Sequence, residues 1–367
     1  MPNLELLPAR LVLKLGSALL VDTAGEVRRD WLATLIDDIA DLRARGTEVI
    51  IVSSGAIALG SRRLGLTDGG RGSLDDAQAS AAAGQIVLSG LYADLLSARK
   101  LTAAQILVTL DDLADRRRYL NASATFARLL ALGAVPVVNE NDSTATAEIR
   151  FGDNDRLAAR VGQAAGADKV LLLSNVAGIY DRDPALGGAT LINQVAPDAQ
   201  IAAELGPSSG LGSGGMAAKV EAGRIAAASG IALTIADGRV QHPLSTWLQR
   251  GTGTTFLPSP APGARKAWLI GHLDARGTLS IDDGARAALC EGGSLLAAGI
   301  KGVSGSFSRG DAVEVHDLDG ALLARGLIAY SADEMRKIAG TRSDAQGDLL
   351  GYAPRAAVVH RNDLVLI

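Results

Sequence analysis

Five short stretches of this chain are nearly continuous in apolar residues: 11–15, 49–52, 134–138, 170–173 and 231–235. Longer stretches of helical character separate them. In residues 31–45, for example, Trp31, Leu32, Leu35, Ile36, Ile39 and Leu42 recur at the spacing of one helix face, and Gly46 stands where that helix would stop. A strand with one solvated face alternates polar and apolar side chains, whereas a strand that is apolar throughout must be covered on both faces. Strands of the second kind, separated by helices, build a mostly parallel sheet between two helical layers. The expected fold class is therefore α/β, with a three-layer αβα sandwich over residues 1–257.

Near residue 258 the texture changes. Residues 258–265 read PSPAPGAR, a linker in composition. Beyond it the apolar runs are short and turn-rich, at 267–270, 278–281, 312–315, 322–324 and 356–359. Asp319-Gly320 sits between two of them as a hairpin signal. A small, mainly β domain is expected over 266–367, and a length of 367 residues suits two domains. With only 3% aromatic residues, both cores must be built from Ala, Val, Leu and Ile.

Several function classes are disfavoured at this level. The single cysteine, Cys290, excludes an intrachain disulfide, suits a reducing compartment, and is expected to be a buried, inert thiol on a helix. Residues 1–10 show no signal-peptide pattern, and no apolar run reaches the roughly 20 residues needed to cross a bilayer. The expectation is a cytoplasmic protein without membrane association. A net charge of −4 exerts no bulk pull on nucleic acid. The four histidines, His242, His272, His316 and His360, are scattered and lack metal-ligand spacing, so no protein-held metal is expected.

In an open parallel sheet, ligands bind beyond the carboxyl ends of the strands. The residues at those ends are Lys14, Gly16 and Ser17; Ser53, Ser54 and Gly55; Asn139, Asn141 and Asp142, followed by Asn154 and Asp155; then Ser174 and Asn175. Lys14 interrupts an apolar strand, where an unpaired ammonium is costly to bury. It fits either an exposed or ion-paired lysine, or a cation aimed at a phosphate beside the backbone N–H groups of Gly16 and Ser17. A second feature is the stretch GLGSGGMAAK at 210–219, a glycine-rich loop opening a helix that runs over 216–229. The N–H groups and dipole of such a helix end attract anions, and Lys219 lies in its first turn. Two lysines placed this way favour a phosphate site.

Two apparent motifs in this loop are decoys. Gly210, Gly212 and Gly215 match the dinucleotide fingerprint, and Gly206 to Gly210 match the nucleophile elbow, but neither follows a strand. No P-loop motif is present either. The strand ends also offer no histidine that could act as a base. An alcohol acceptor would need its proton removed, whereas a carboxylate with a pKa of about 4.3 is already ionised at neutral pH. A site of lysines, glycines, amides and aspartates suits phosphoryl transfer to a carboxylate.

These residues carry a resemblance to the amino acid kinase family, and within it to the two-domain bacterial branch that phosphorylates free glutamate. The matching stretches are VLKLGS at 12–17, IVSSGAIALG at 51–60, VPVVNENDSTATAEI at 135–149, FGDNDRLAA at 151–159 and GLGSGGMAAK at 210–219. GIKGVSGSFSRGD at 299–311 resembles a PUA domain. The resemblance implies that Lys14 and Lys219 neutralise the transferring phosphoryl group and that Asp155 holds both lysines. Ser54, Asp142 and Asn154 would bind L-glutamate, with Asn139 in support. Lys14, Gly16, Ser174 and Asn175, with Ser213, Gly214, Gly215, Met216, Ala217, Ala218 and Lys219, would hold ATP, and Mg²⁺ would bridge its phosphates. The implied product is L-glutamyl 5-phosphate at the entry to proline synthesis, with proline as inhibitor and a homo-oligomeric assembly, dimer or tetramer.

Two departures from the family pattern concern the nucleotide half. Ser174-Asn175 stands where Thr-Asp is common, and Ala217-Ala218 where Ser-Thr is common. One carboxylate and two hydroxyls are thereby lost, so contacts there fall to backbone N–H groups. Sister kinases acting on aspartate, acetylglutamate or a nucleoside monophosphate would share the fold and the lysines. RNA binding through the second domain is disfavoured: residues 266–367 hold 11 Lys and Arg against 13 Asp and Glu, a net of −2.

Overall fold

The structure, a computed structural model, describes residues 7–22, 25–144, 153–199, 215–259, 275–355 and 357–367. It divides into two compact units, one of Met1–Ala114 and Ala122–Ser259, the other of Asp115–Asn121 and Pro260–Ile367.

The first unit holds strands β1 (Arg10–Leu15), β2 (Glu48–Val52), β3 (Ala103–Val108), β4 (Val135–Glu140), β5 (Lys169–Ser174), β6 (Gln194–Val195), β7 (Ala232–Asp237) and β8 (Thr254–Phe256). The helices along the chain are α1 (Ser17–Leu20), α2 (Arg29–Ala44), α3 (Ala56–Leu64), α4 (Leu74–Ser97), α5 (Leu110–Ala114), α6 (Arg116–Ala131), α7 (Asp153–Ala165), α8 (Met216–Ala228) and α9 (Pro243–Arg250). The sheet order is β3-β4-β2-β1-β5-β7-β8-β6. All neighbours are parallel except β7 and β8. The five expected strands are β1, β2, β4, β5 and β7, their ends shifted by one or two residues.

The two faces of β1 explain the layering. Leu11, Leu13 and Leu15 point to one side and join a core with Trp31, Leu35 and Ile39 of α2 and Leu88, Leu91 and Leu95 of α4. Lys14 points to the other side, where α7 packs across β1 and β5. β1 lies between β2 and β5, so the strand order switches at the centre of the sheet. That is the place where open α/β sheets hold ligands.

α3 and α4 cross at a very close approach. A Cβ on Gly60 would stand 1.7 Å from the Ser80 carbonyl oxygen, and one on Gly84 would stand 1.8 Å from that of Ala56. Only glycine fits at either position. α4 starts on Ser73, whose hydroxyl accepts the Asp76 N–H, with Asp75 and Asp76 at the positive end of the helix dipole.

The second unit is a five-stranded sheet in the order β10-β9-β11-β12-β13. Its strands are β9 (Gly277–Ile281), β10 (Ile300–Gly305), β11 (Ala312–His316), β12 (Leu322–Leu327) and β13 (Leu364–Leu366). Leu279, Ile281, Val313, Val315 and Met335 sit in its core. The expected hairpin joins β11 to β12: Gly320 adopts φ +89°, and the Asp317 carboxylate accepts the Ala321 N–H at 2.8 Å.

Four expectations need correction or fall outside the described residues. Cys290 ends a helix, Asp283–Cys290, as expected, but it is exposed rather than buried. Its helix has only eight residues, and the last of them points outward. Residues 357–359 form no strand; Val359 makes a single bridge to Leu295, although Val358 and Val359 are buried in the core. α4 is 24 residues long and apolar enough by length and composition to cross a bilayer, contrary to the sequence expectation. Its apolar side packs into the core of the first unit through Leu88, Leu91, Tyr92 and Leu95. The run at 267–270 and linker residues 260–265 lie outside the described residues.

Candidate active site

Lys14, the fifth residue of β1, pairs in register with Val52 of β2 and Leu172 of β5, in the middle of the sheet. Its ammonium lies 2.5 Å from Asp155 Oδ1, in the first turn of α7. Lys219, in the first turn of α8, donates to the other carboxylate oxygen, Asp155 Oδ2, at 2.9 Å. Asp155 is completely buried, and both lysine side chains are 7% exposed. Burial alone would raise the Asp155 pKa, but the ammonium groups of Lys14 and Lys219 outweigh it and hold the carboxyl below its usual 3.8. Burial pulls the Lys14 pKa down and the charge of Lys219 adds to that, against the opposing pull of Asp155. Two ammoniums and one carboxylate leave one net positive charge in a dry place. Such a cluster attracts an anion, and a phosphoryl group in transfer is a strongly charged one.

The neighbouring strand ends are built differently. β2 is followed by Ser53, Ser54 and Gly55. Gly55 takes φ +102°, which lets the chain turn directly into α3. Asn154, next to Asp155 on α7, donates from Nδ2 to Ser54 Oγ at 3.0 Å. Its Oδ1 is buried and accepts no hydrogen bond among the described residues. At the end of β4, Asn139 is buried, donates from Nδ2 to Gln85 Oε1 at 2.8 Å, and likewise has an Oδ1 without a partner. Asp142 follows two residues after the strand and lies within electrostatic reach of Arg71, whose pKa is lowered by burial and pushed back up by that carboxylate. A groove of about 430 Å³ runs past this end of the sheet, lined by Gln85, Ser89, Gln105, Asn141 and Asp142 among others.

The geometry thus joins Lys14, Asp155 and Lys219 in one cluster and Asn154 with Ser54 in a direct hydrogen bond. A profile of the amino acid kinase family matches residues 9–237, and a PUA domain profile matches 277–346. The chain belongs to the amino acid kinase family. A protein of Novosphingobium aromaticivorans named Glutamate 5-kinase is 58% identical over 98% of this chain and 96% of its own length. A protein of the same name from Sphingopyxis alaskensis is 57% identical over 98% and 97%, and one from Zymomonas mobilis 53% identical over 98% and 91%.

As an amino acid kinase, the chain has a second polar edge at the end of β5. Ser174 is buried and donates to Asn175 Oδ1 at 3.3 Å, while its carbonyl accepts the Gly238 N–H. The Gly16 N–H donates to the Leu173 carbonyl at 3.3 Å, which ties the turn after β1 to β5. Gly215 is the N-cap of α8, and Met216, Ala217, Ala218 and Lys219 form its first turn with no side-chain cap. The Lys219–Asp155 contact brings that turn to the same end of the kinase sheet, and its Ala218 N–H donates to the Gly215 carbonyl at 2.9 Å. Ser213 and Gly214 lie outside the described residues, as does the whole stretch 200–214. No group of three or more His, Cys, Asp or Glu side chains among the described residues could hold a metal ion.

Sequence reading alone missed two partners of this site. Gln85 lies on α4 in a stretch of alanines and glycines, 54 positions from Asn139. Tyr92, seven residues further along the same helix, shares a 2.9 Å hydrogen bond with Ser53 Oγ. The one available signal was polarity: a glutamine and a tyrosine hydroxyl on the buried side of an apolar helix need partners.

Proposed function

We infer that this kinase transfers the γ-phosphoryl group of ATP to the side-chain carboxylate of L-glutamate, forming L-glutamyl 5-phosphate and ADP. The observation that carries the reading is the buried Lys14–Asp155–Lys219 cluster, set beside an end of the sheet that offers amides, a serine and a carboxylate but, among the described residues, no histidine. The names of relatives at 53–58% identity, Glutamate 5-kinase, favour this acceptor over aspartate, acetylglutamate or a nucleoside monophosphate.

In this reading an oxygen of the substrate carboxylate attacks the γ-phosphorus. The new O–P bond forms as the bond to the β,γ-bridging oxygen breaks, and ADP leaves with that electron pair. No proton has to move, because the acceptor is ionised at neutral pH. Lys14 and Lys219 meet the charge that develops on the transferred group, and Asp155 keeps both ammoniums at fixed positions. Ser54, Asn154 and Asp142, with Asn139 in support, would orient the amino acid. Gly16, Ser174, Asn175, Ser213, Gly214, Gly215, Met216, Ala217 and Ala218 would line the nucleotide, although the Gly16 and Ala218 N–H groups already donate to the Leu173 and Gly215 carbonyls. Mg²⁺ would enter with ATP, held by phosphate oxygens and water, and would lower the charge on the phosphates.

The same reading places the enzyme in the cytoplasm, at the entry to proline synthesis, as a homo-oligomer inhibited by proline. It divides the chain into a kinase domain over 1–257, a linker over 258–265 and a PUA-like domain over 266–367. The deciding experiment incubates the enzyme with ATP, Mg²⁺ and each candidate acceptor, and traps acyl phosphate with hydroxylamine, with and without proline. Hydroxamate from glutamate alone, reduced by proline, is the expected result. ADP release with another acceptor and none with glutamate would overturn the assignment.

A further inference from the structure

Asn139 is 3% exposed, yet its Oδ1 accepts no hydrogen bond among the described residues. A buried carbonyl without a donor is costly, so the orientation of this amide must be imposed on it. The imposing group is Gln85. Ser89 has one hydroxyl hydrogen, and it is directed at carbonyl oxygens: that of the Gln85 main chain at 2.7 Å or Gln105 Oε1 at 2.8 Å. The Gln85 side chain must therefore turn its NH₂ toward Ser89 Oγ, at 3.2 Å, and its Oε1 toward Asn139. Asn139 then has to present its own NH₂ to Gln85, at 2.8 Å, which turns its carbonyl away from α4.

We propose that Gln85 is a positioning residue that holds the Asn139 carbonyl ready to accept a hydrogen bond from the α-ammonium group of the acceptor amino acid. The proposal rests on the reading of glutamate as substrate. Both carboxylates of glutamate bring only hydrogen-bond acceptors, and the ammonium is its one donor group. An orphaned carbonyl therefore cannot serve either carboxylate. Asp142, and Asn154 Oδ1, which accepts no hydrogen bond among the described residues, are acceptors at the same end of the sheet as well. Together they suit recognition of an amine, and the Gln85–Ser89–Gln105 chain gives that recognition a fixed direction.

The test compares L-glutamate with glutarate, which keeps both carboxylates and lacks the amine. Steady-state assays with saturating ATP give KM and kcat for glutamate and the Ki of glutarate as a competitor, in the wild type, Gln85→Met, Gln85→Glu and Ser89→Ala. Gln85→Met should raise the KM for glutamate roughly tenfold, the effect of one hydrogen bond to a charged group. It should leave kcat within about twofold and the glutarate Ki unchanged. Gln85→Glu, which keeps an acceptor facing Asn139, should restore most of the KM, and Ser89→Ala should produce a smaller change of the same kind. A KM and a glutarate Ki that shift by the same factor, or that both stay put, overturn the proposal. If Gln85→Met does not fold, Ser89→Ala decides by the same ratio. A wild type without glutamate-dependent ADP release would instead overturn the reading of the substrate.

Discussion

Each of the two units contains a carboxylate held between two basic side chains, and the two clusters differ most in how deeply they are buried. In the first unit Asp155 lies between Lys14 and Lys219 with all three side chains buried. In the second, Glu314 receives Arg325 Nη2 at 2.6 Å and His316 Nε2 at 3.1 Å, and the three side chains are between 21% and 39% exposed. Water still solvates the Glu314 group, so the pairing is a minor contributor to stability. Around Asp155 water is excluded, the desolvation cost of each charge is large, and every member depends on the others. A folding protein has no reason of stability to keep such a cluster. Its retention at the carboxyl ends of β1 and at the starts of α7 and α8 points to chemistry.

Removing the buried carboxylate should have the gravest consequence. Asp155→Ala leaves two buried ammoniums facing each other and should cost about 3–5 kcal/mol of stability, measured by urea unfolding, together with nearly all activity. A loss below about 1 kcal/mol would mean that the cluster is far more hydrated than its burial indicates. Next, Lys219→Ala should lower kcat by about 10²–10³-fold, the scale of a lost donor to a transition state. Retention of full ATP- and glutamate-dependent turnover would remove Lys219 from the chemistry.

A smaller effect lies in the pH profile. Burial and the neighbouring Lys219 bring the Lys14 pKa below its ordinary 10.5. The folded state therefore gives up this proton before the unfolded state does. Raising the pH through that lowered value relieves the burial cost and adds to stability, while it removes a charge that the proposed reaction uses. Activity should fall on an alkaline limb below pH 10.5 without a parallel fall in the stability contribution of this group, and Lys14→Arg should move the limb upward. A limb that stays in place in Lys14→Arg belongs to another group.

The smallest effect belongs to the exposed cluster. Glu314→Gln should cost less than about 1 kcal/mol and leave turnover untouched. The His316 pKa is raised, first by its bond to the Gly320 carbonyl and then by Glu314, against the effect of burial. Its contribution is complete below about pH 6.5 and is lost as pH rises through the raised value. The gap between thermal melts of Glu314→Gln and the wild type should narrow toward the alkaline end of that window, leaving the part due to the Arg325 pairing, which does not titrate there.

The sheet was legible where burial on both faces left a continuous apolar run, as in β1, β2, β4, β5 and β7. β3 was not, because it is an edge strand: AAQILV pairs only with β4, is mostly half-exposed or exposed, and lacks the run that marks its neighbours. Lys14 stood out because a cation inside an apolar strand demands a reason. That its reason is Asp155, and that Lys219 shares the same carboxylate, depends on packing α7 and α8 against one sheet end. Residue patterns alone do not reach that far, and it was the family resemblance that named Asp155. The Asn139–Gln85 contact was out of reach for the same cause, as was the buried Asp38 carboxylate of α2. Asp38 caps the start of α9 by accepting the Leu244 and Ser245 N–H groups at 3.1 Å. Cys290 was misjudged because helix composition does not say which way the last residue of a short helix points.

The crossing of α3 and α4 at Gly60 and Gly84 has a mechanical meaning for the site. α3 begins at the residue after Gly55, so its placement fixes Ser54. α4 carries Gln85, the residue after Gly84. Two backbones in direct contact act as a locating pin: neither helix can rotate or slide without the other. Ser54 and Gln85 are thereby gauged against each other by main chain rather than by adjustable side chains. The spacing on which the proposed glutamate site depends is set at a point where a single added methyl group would force the two helices apart.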